Sequence, residues 1–88
     1  MLTKVLAVEW APYNITVNAV APGYYDTQPN RDFFSKETGL YQKVLDMIPV
    51  GKLGDLEELS RLILHLVSEP RNYLTGETIT IDGGYTRW

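Results

Sequence analysis

The sequence predicts an α/β chain organised around parallel strands, and three patterns support that prediction. The segment 15–21, "ITVNAVA", is β-branched and apolar on both faces apart from Thr16 and Asn18. A strand of this kind belongs inside a sheet that is covered on both sides, which is usually a parallel sheet. A second strand, "ETITID", follows at residues 77–82. The long connection between the two strands carries helical patterns, as a parallel crossover requires.

Composition narrows the class of protein. At 88 residues, with 44% hydrophobic and 22% charged residues, the chain has room for one domain at most. The absence of cysteine excludes disulfides, thiolate metal sites and cysteine nucleophiles. No acidic residue is spaced to join the single histidine, His65, so we expect no metal site. The net charge of −3 argues against nucleic acid as a partner, and no apolar run reaches the length of a membrane span. We expect a soluble cytoplasmic protein.

The first helix is expected at residues 2–10, where apolar residues follow a helical spacing. It begins without a capping residue, so it is interpreted as the tail of a longer helix. The segment "APYN" should end it, because Pro12 disfavours helical geometry at Ala11 and Asn14 tolerates a turn.

Between the strands the pattern predicts further helices, which makes three to four in the chain. Two short helices are expected between Asp26 and Pro49, with a break near Gly39. A third should run over residues 55–68, with Asp55 as its cap and an apolar stripe along one face. The members of that stripe are Leu56, Leu59, Leu62, Ile63, Leu66 and Val67.

Several polar residues are interpreted as structural. Asn18 is expected to be a core amide whose hydrogen bonds are satisfied, and Asp82 a turn residue at the end of the second strand. Asp55, Glu57 and Glu58 crowd a helix N-terminus, where the macrodipole favours negative charge. We therefore interpret these three carboxylates as capping groups and not as an acid/base pair.

The ordered set of segments resembles the C-terminal third of a classical short-chain dehydrogenase/reductase. The matching landmarks are "LAVEWAPY", then "ITVNAVAPG" with Thr27 shortly after, then "PVGKLGDLEE" at 49–58 and "YLTGETITIDGGY" at 73–85. The resemblance implies the C-terminal part of a doubly wound Rossmann-type parallel sheet. Residues 1–88 would then be one segment of a single domain, without its N-terminal dinucleotide-binding half. Within the family, the sequence is most similar in character to gluconate or polyol dehydrogenases and 3-oxoacyl reductases.

The catalytic signature of this family has no counterpart here. Its members carry a glycine-rich dinucleotide fingerprint, a serine and a Tyr-x-x-x-Lys pair. No tyrosine of this chain has a lysine four positions later, and no G-x-x-x-G-x-G occurs. We therefore expect no catalytic residue in these 88 residues and no dehydrogenase activity from them alone. The choice between NAD and NADP stays open, because the residues that set it would lie upstream.

The resemblance also implies a cofactor-binding loop after the first strand. Pro22 and Gly23 would turn the backbone along the nicotinamide, with Tyr24 beside them. Backbone groups near Tyr25 would meet the carboxamide, and the Thr27 hydroxyl would contact the carboxamide or a phosphate. From the residues alone, a second interpretation stays open. The loop "PGYYDT" could simply end the strand, with Asp26 or Thr27 capping the next helix.

Two functions are consistent with these residues and with the resemblance. In the first, the chain is part of an NAD(P)-dependent oxidoreductase that moves a hydride between nicotinamide and a small carbonyl compound or secondary alcohol. It would supply the nicotinamide-side loop, a substrate lid over residues 28–48 and part of a homo-oligomer interface at residues 1–11 and 55–88. In the alternative, the 88 residues form a non-catalytic protein that is held together by self-association.

Overall fold

The computed structural model describes residues 1–68 and 73–87, and that part of the chain contains four α-helices and two strands. The helices are α1 (Leu2–Trp10), α2 (Gln28–Lys36), α3 (Thr38–Met47) and α4 (Leu56–Ser68), and the strands are β1 (Ala19–Pro22) and β2 (Thr78–Ile81). Short 3₁₀ turns follow α1 and β2, at Ala11–Tyr13 and Tyr85–Arg87. The strands pair in parallel, with Ala19 opposite Thr78. The predicted α/β class, with two parallel strands and three to four helices, is confirmed.

The strands are shorter than predicted. β1 begins at Ala19 rather than at residue 15, because side-chain hydrogen bonds interrupt the regular ladder in the preceding residues, where the Gly76 N–H still donates to the Val17 carbonyl at 2.7 Å. The Val17 N–H donates to the Thr75 hydroxyl at 3.0 Å, and the Asn18 amide donates to the Leu74 carbonyl at 3.0 Å. Such side-chain bonds compete with strand pairing. The Asn18 amide oxygen also accepts from the Glu77 N–H at 3.2 Å, so the prediction of a satisfied amide is confirmed.

The end of α1 differs from the expectation in one respect. Ala11 keeps helical geometry, with φ −55° and ψ −41°, although Pro12 was expected to disfavour that geometry at this residue. The chain tightens into a 3₁₀ turn in which Pro12 stands near the start, where its missing N–H costs no internal hydrogen bond. Asn14 then ends the turn in the left-handed conformation, with φ +66°, as expected for a residue that tolerates turns.

The two helices predicted between the strands are present, and the break between them lies at Glu37, two positions before Gly39. Gly39 lies in the first turn of α3 and adopts no positive φ. The break falls where the two helices fold back on each other through the rings of Phe34 and Tyr41, whose centroids are 5.1 Å apart. Tertiary packing therefore decides the position of the break.

α4 begins as predicted. The Asp55 carboxylate accepts a hydrogen bond from the Glu57 N–H at 3.0 Å, which satisfies one of the free donors of the first turn. Glu57 also pairs with Arg61 at 3.1 Å, one turn further along. The apolar stripe is only half covered, however, because no described residue of α4 is buried. Three members of the stripe, Leu56, Ile63 and Val67, are exposed.

The described residues form an elongated body with a small core. Five hydrophobic residues are buried: Ala7, Tyr25, Phe34, Val44 and Ile48. The radius of gyration is 16.2 Å, against about 12 Å for a compact domain of this length. In the described part of the chain, β1 pairs only with β2, so one edge of β1 has no strand beside it among these residues. No described helix has the length and hydropathy needed to cross a membrane.

Candidate functional site

The segment from Pro22 to Thr27 leaves β1 at its carboxyl end, beside the carboxyl end of β2. In open parallel α/β sheets, ligands bind at this edge. The five cofactor-binding residues predicted from the sequence (Pro22, Gly23, Tyr24, Tyr25 and Thr27) therefore lie in one stretch at the edge of the sheet, which we call the site loop, residues 22–27.

Gly23 brings the site loop into close contact with the end of β2. Its N–H donates to the Ile81 carbonyl at 3.2 Å. A Cβ atom at this position would lie 2.6 Å from the Asp82 Cβ and 2.9 Å from the Asp82 Cα. Because those atoms belong to backbone or lie next to it, they cannot move aside cheaply, and the approach requires glycine.

Tyr25 anchors the site loop through its side chain. The residue is buried, with 6% of its surface exposed, and its hydroxyl donates to the Ile81 carbonyl at 2.8 Å. Burial, first of all, raises the pKa of this phenol, and the nearby charges of Glu58 and Asp82 raise it further. Tyr25 therefore stays a hydrogen-bond donor. From the sequence we expected only backbone groups to act here, since no local pattern signals a contact with a residue 56 positions away.

The Tyr25 ring also lies against Gly54. A Cβ atom on Gly54 would meet three ring atoms at 2.6 to 2.9 Å. The two residues also form a parallel bridge, in which the Gly54 N–H donates to the Tyr24 carbonyl and the Asp26 N–H donates to the Gly54 carbonyl, both at 2.9 Å. Gly54 thus holds the site loop by its backbone and makes room for the ring. This glycine was not among the site residues predicted from the sequence.

Thr27 acts as the cap of α2. Its hydroxyl accepts from the Asn30 N–H at 3.3 Å, which matches the alternative interpretation of the loop as a helix cap. The Asn30 side chain returns to the loop and donates to the Tyr25 carbonyl at 2.7 Å, and the Thr27 N–H donates to the same carbonyl at 3.0 Å. The site loop and the start of α2 are therefore joined at Tyr25.

Tyr24 lies on the outer side of the loop and is partly exposed. Its ring packs edge-to-face against Tyr85, with centroids 5.5 Å apart. Tyr85 is held there by a turn at Asp82, whose carboxylate accepts from the Gly84 N–H at 2.9 Å and from the Thr86 hydroxyl at 2.8 Å. The prediction that Asp82 makes a turn at the strand end is confirmed.

The Asp82 turn predicts a pH dependence of stability. The Thr86 hydroxyl, first of all, holds the pKa of this carboxyl below its ordinary value, and backbone N–H groups and Arg87 act in the same direction. A carboxyl whose pKa is lowered in the folded state stabilises that state above its unfolded pKa of about 3.9. The contribution is lost as the pH falls through the lowered folded-state value.

We therefore expect Asp82→Asn to lower the urea midpoint at pH 7 and to show a smaller difference at pH 3. The two proteins should be compared by circular dichroism at both values. All other carboxyls titrate equally in both proteins, so they cancel in the difference. A gap of the same size at pH 3 and pH 7 would contradict a role for the ionised carboxylate.

Two cavities lie beside the site loop, and Asp26 lines both of them. The larger, of about 530 Å³, lies between α2, α3 and residues 52–53, and the smaller, of about 360 Å³, lies toward the start of α4. Within residues 1–68 and 73–87, no group of three histidine, aspartate or glutamate side chains could hold a metal ion.

Comparison with protein families gives a match over residues 1–86, to a model described as enoyl-(acyl carrier protein) reductase. An NAD-dependent glycerol dehydrogenase of Listeria innocua is 45% identical over 85 residues, which are 97% of this chain and 33% of that protein. A galactitol 2-dehydrogenase (L-tagatose-forming) of Cereibacter sphaeroides is 40% identical over 87 residues, 99% of this chain and 34% of that protein. The chain thus spans about one third of the length of the curated relatives it matches.

Solved structures of similar proteins also match almost the whole of this chain and about a third of their own length. A protein of Agrobacterium tumefaciens, suggested to be a 2-deoxy-d-gluconate 3-dehydrogenase and crystallised with NADP, superposes with a TM-score of 0.87 at 36% identity. The alignment covers 99% of this chain and 35% of that one. A short chain dehydrogenase family protein of Francisella tularensis superposes with a TM-score of 0.83 at 32% identity, over 99% of this chain and 39% of that one.

Proposed function

The chain belongs to the short-chain dehydrogenase/reductase family, and on that premise we propose that it is the C-terminal segment of a nicotinamide-dependent oxidoreductase. The whole enzyme would transfer a hydride between the nicotinamide and a small carbonyl compound or secondary alcohol. This segment would supply the nicotinamide-side loop at residues 22–27, a substrate lid over residues 28–48 and part of an oligomer interface. The observation that carries the proposal is the site loop, held at the carboxyl edge of the sheet by both Ile81 and Gly54.

The hydrogen bonds of the loop favour a particular set of contacts to the carboxamide. The bridge to Gly54 uses the C=O of Tyr24 and the N–H of Asp26, so the N–H of Tyr25 points away from Gly54. The carbonyl of Tyr25 is already bonded to Asn30. The Tyr25 N–H is thus a donor that the loop can offer to a carboxamide oxygen. The Thr27 hydroxyl can donate its hydrogen while its oxygen caps α2.

The relatives support a nicotinamide dinucleotide as cofactor without deciding which one. The Listeria relative is NAD-dependent by name, whereas the Agrobacterium structure contains NADP. A small-molecule substrate and a cytoplasmic location fit such enzymes. Oligomer contacts are proposed for residues 1–11 and 55–88, of which 69–72 and 88 lie outside the described residues.

A non-catalytic, self-associating protein is the second candidate. It is favoured by the apolar side chains that α1 and α4 expose in the structure, among them Val8 at 77% and Val67 at 70% of their surface. Exposed apolar surface on two helices favours association with another copy. The candidates differ in whether the site loop binds a cofactor once the missing part of the site is supplied.

A chimera separates these candidates. We would replace the last third of the Listeria glycerol dehydrogenase by residues 1–88 and titrate it with NADH and NADPH, following nicotinamide fluorescence and energy transfer from Trp10. The 88-residue chain alone should show no saturable binding and no dehydrogenase activity, because it lacks a glycine-rich fingerprint. The chimera should bind one cofactor saturably.

A chimera carrying Gly23→Val is the control, because the added side chain would strike the Asp82 backbone and displace the loop. It should fold but bind the cofactor at least about tenfold more weakly, the change expected from removing one or two hydrogen bonds. A folded parent chimera that binds neither cofactor would contradict the proposed function. Saturable binding by the 88 residues alone would contradict the proposed need for an upstream part.

A further inference from the structure

The start of α2 is tied to the site loop by three contacts of unequal strength. The shortest is the hydrogen bond that the Asn30 side-chain amide donates to the Tyr25 carbonyl, at 2.7 Å in a partly buried position. The Asn30 N–H reaches the Thr27 hydroxyl at 3.3 Å. The third contact is the Arg31–Asp26 ion pair at 3.1 Å, whose side chains are both about half exposed, and exposed pairs contribute little. The Asn30 side chain therefore makes the contact that restrains the loop most.

The Asn30 contact completes the restraint of the peptide group between Tyr25 and Asp26. The N–H of that peptide donates to the Gly54 carbonyl at 2.9 Å, and its carbonyl accepts from Asn30. The preceding peptide is held through the Tyr24 carbonyl, which accepts from the Gly54 N–H at 2.9 Å. The Tyr25 N–H belongs to this preceding peptide, and the backbone torsions of Tyr25 link it to the next. The direction of this N–H is therefore fixed by Gly54 and Asn30 together.

Asn30 also lies behind the second group that we propose to contact the cofactor. Its backbone N–H occupies a lone pair of the Thr27 hydroxyl oxygen, so the hydrogen of that hydroxyl points away from Asn30. One residue thus orients both proposed donors, one through its side chain and the other through its backbone. A substitution at this position removes the side-chain contact alone, because every residue except proline keeps the backbone N–H.

We infer that Asn30 is a positioning residue of the cofactor site, which acts through the Tyr25 carbonyl and does not itself touch the cofactor. The inference rests on the proposed function and adds to it the residue that holds the loop in its binding geometry. A loop that is already ordered loses less conformational freedom when a ligand binds, so its restraint raises affinity without any further contact to the ligand. Because Asn30 belongs to α2, it also joins the site loop to the first helix of the proposed lid.

Asn30→Asp separates positioning from stability. The substitution exchanges the donating amide for a carboxylate of the same shape, which only accepts hydrogen bonds. The Tyr25 carbonyl keeps the bond from the Thr27 N–H at 3.0 Å, so it is not left unpaired. Position 30 lies in the first turn of α2, where the macrodipole favours negative charge. We therefore expect the urea midpoint to stay close to that of the parent, whereas a residue that only stabilises the helix would lose stability and affinity together.

The first measurement is amide hydrogen exchange of the 88-residue chain, followed by nuclear magnetic resonance. In Asn30→Asp the Asp26 N–H should exchange about five- to tenfold faster, as expected from the loss of one hydrogen bond. The Gly23 N–H, which bonds to the Ile81 carbonyl at the other end of the loop, should not change. Asn30→Ala removes the donor without adding a charge and should give the same pattern.

Three results of the exchange experiment would overturn the inference. Unchanged exchange at Asp26 in both variants would mean that Asn30 does not restrain the loop. An effect of the aspartate variant alone would be repulsion by the new charge and not the loss of the donor. Equal acceleration at Asp26 and Gly23 would be a general loss of stability.

The second measurement is the affinity of the chimera for NADH and NADPH. Asn30→Asp and Asn30→Ala should each weaken binding about five- to tenfold. Asn14→Asp is the control, because it makes the same change of atoms and charge at the exposed turn after α1, where aspartate tolerates a positive φ. It should leave the affinity unchanged. An equal loss in the two aspartate variants would indicate a non-specific effect of charge and overturn the assignment.

The two measurements separate this inference from the proposed function. Faster exchange at Asp26 together with a parent chimera that binds neither cofactor would remove the oxidoreductase, and Asn30 would remain the residue that holds the loop. A chimera that binds its cofactor equally well with and without Asn30→Ala would keep the oxidoreductase and overturn the positioning role.

Discussion

Replacing Phe34 by alanine is expected to unfold the half of the molecule that contains α2 and α3. Phe34 is 7% exposed and forms the buried cluster with Val44 and Ile48, against which Leu53 and Tyr85 pack. Truncating a buried phenylalanine costs about 3–5 kcal/mol. That is a large part of the free energy of unfolding of a small domain, about 5–15 kcal/mol. Urea unfolding followed by circular dichroism should show a lower midpoint or no folded baseline at all.

Phe33→Ala is the matched control, since it removes the same side chain from the neighbouring position on the same helix. Phe33 is 51% exposed, although its ring meets the ring of Phe34 edge-to-face at 5.6 Å. The expected cost is about 1 kcal/mol, the value of one aromatic pair with little burial. Similar losses in the two variants would mean that the cluster around Phe34 is not the core.

The second large effect is expected for Gly54→Ala. The added methyl group would lie 2.6 to 2.9 Å from three ring atoms of Tyr25, so the ring must leave its place and its hydrogen bond to Ile81 must break. Overpacking of this kind costs about 1–3 kcal/mol, and the lost hydrogen bond adds about 1 kcal/mol. Urea unfolding should show the loss of stability, and the proposed chimera should lose cofactor affinity as well.

Gly39→Ala provides a control in which the same substitution should raise the stability instead of lowering it. No atom lies within 4 Å of a Cβ built there, and the residue stands inside α3. Alanine should therefore stabilise the protein by about 0.5–1 kcal/mol through helix propensity and reduced freedom of the unfolded chain.

In a Tyr25→Val background, Gly54→Ala should lose most of its cost in stability, because the ring that the added methyl group strikes is gone. An unchanged cost there would show that the clash is not with Tyr25.

The sequence was sufficient to predict those structural features that depend on residues close together along the chain. The bounds of α1 follow from apolar spacing over nine residues. The start of α4 follows from Asp55, whose carboxylate bonds the N–H two positions away. The turn at Asp82 is equally local, since its partners lie two and four positions on. The position of the site loop followed from the end of one strand and the family resemblance.

The remaining features depend on contacts that no local pattern encodes. The break between α2 and α3 falls at Glu37 because Phe34 and Tyr41 pack together, whereas the sequence pattern favoured the nearby glycine. The start of β1 depends on a threonine 58 positions away. The roles of Gly54 and of the Tyr25 side chain arise only when the loop, the start of α4 and the end of β2 meet. These are the residues that fix the geometry of the candidate site.

The separation of these partners along the chain has a consequence for the order of folding. The hydrogen bonds that close the site loop and the segment before β1 join residues 56 to 59 positions apart. Closing loops of that length is entropically costly and slow compared with forming a helix. The four helices should therefore gain structure early, and the burial of Tyr25 should be among the last events. The site loop is then a late product of folding, and a newly made chain would complete the proposed site only after its helices.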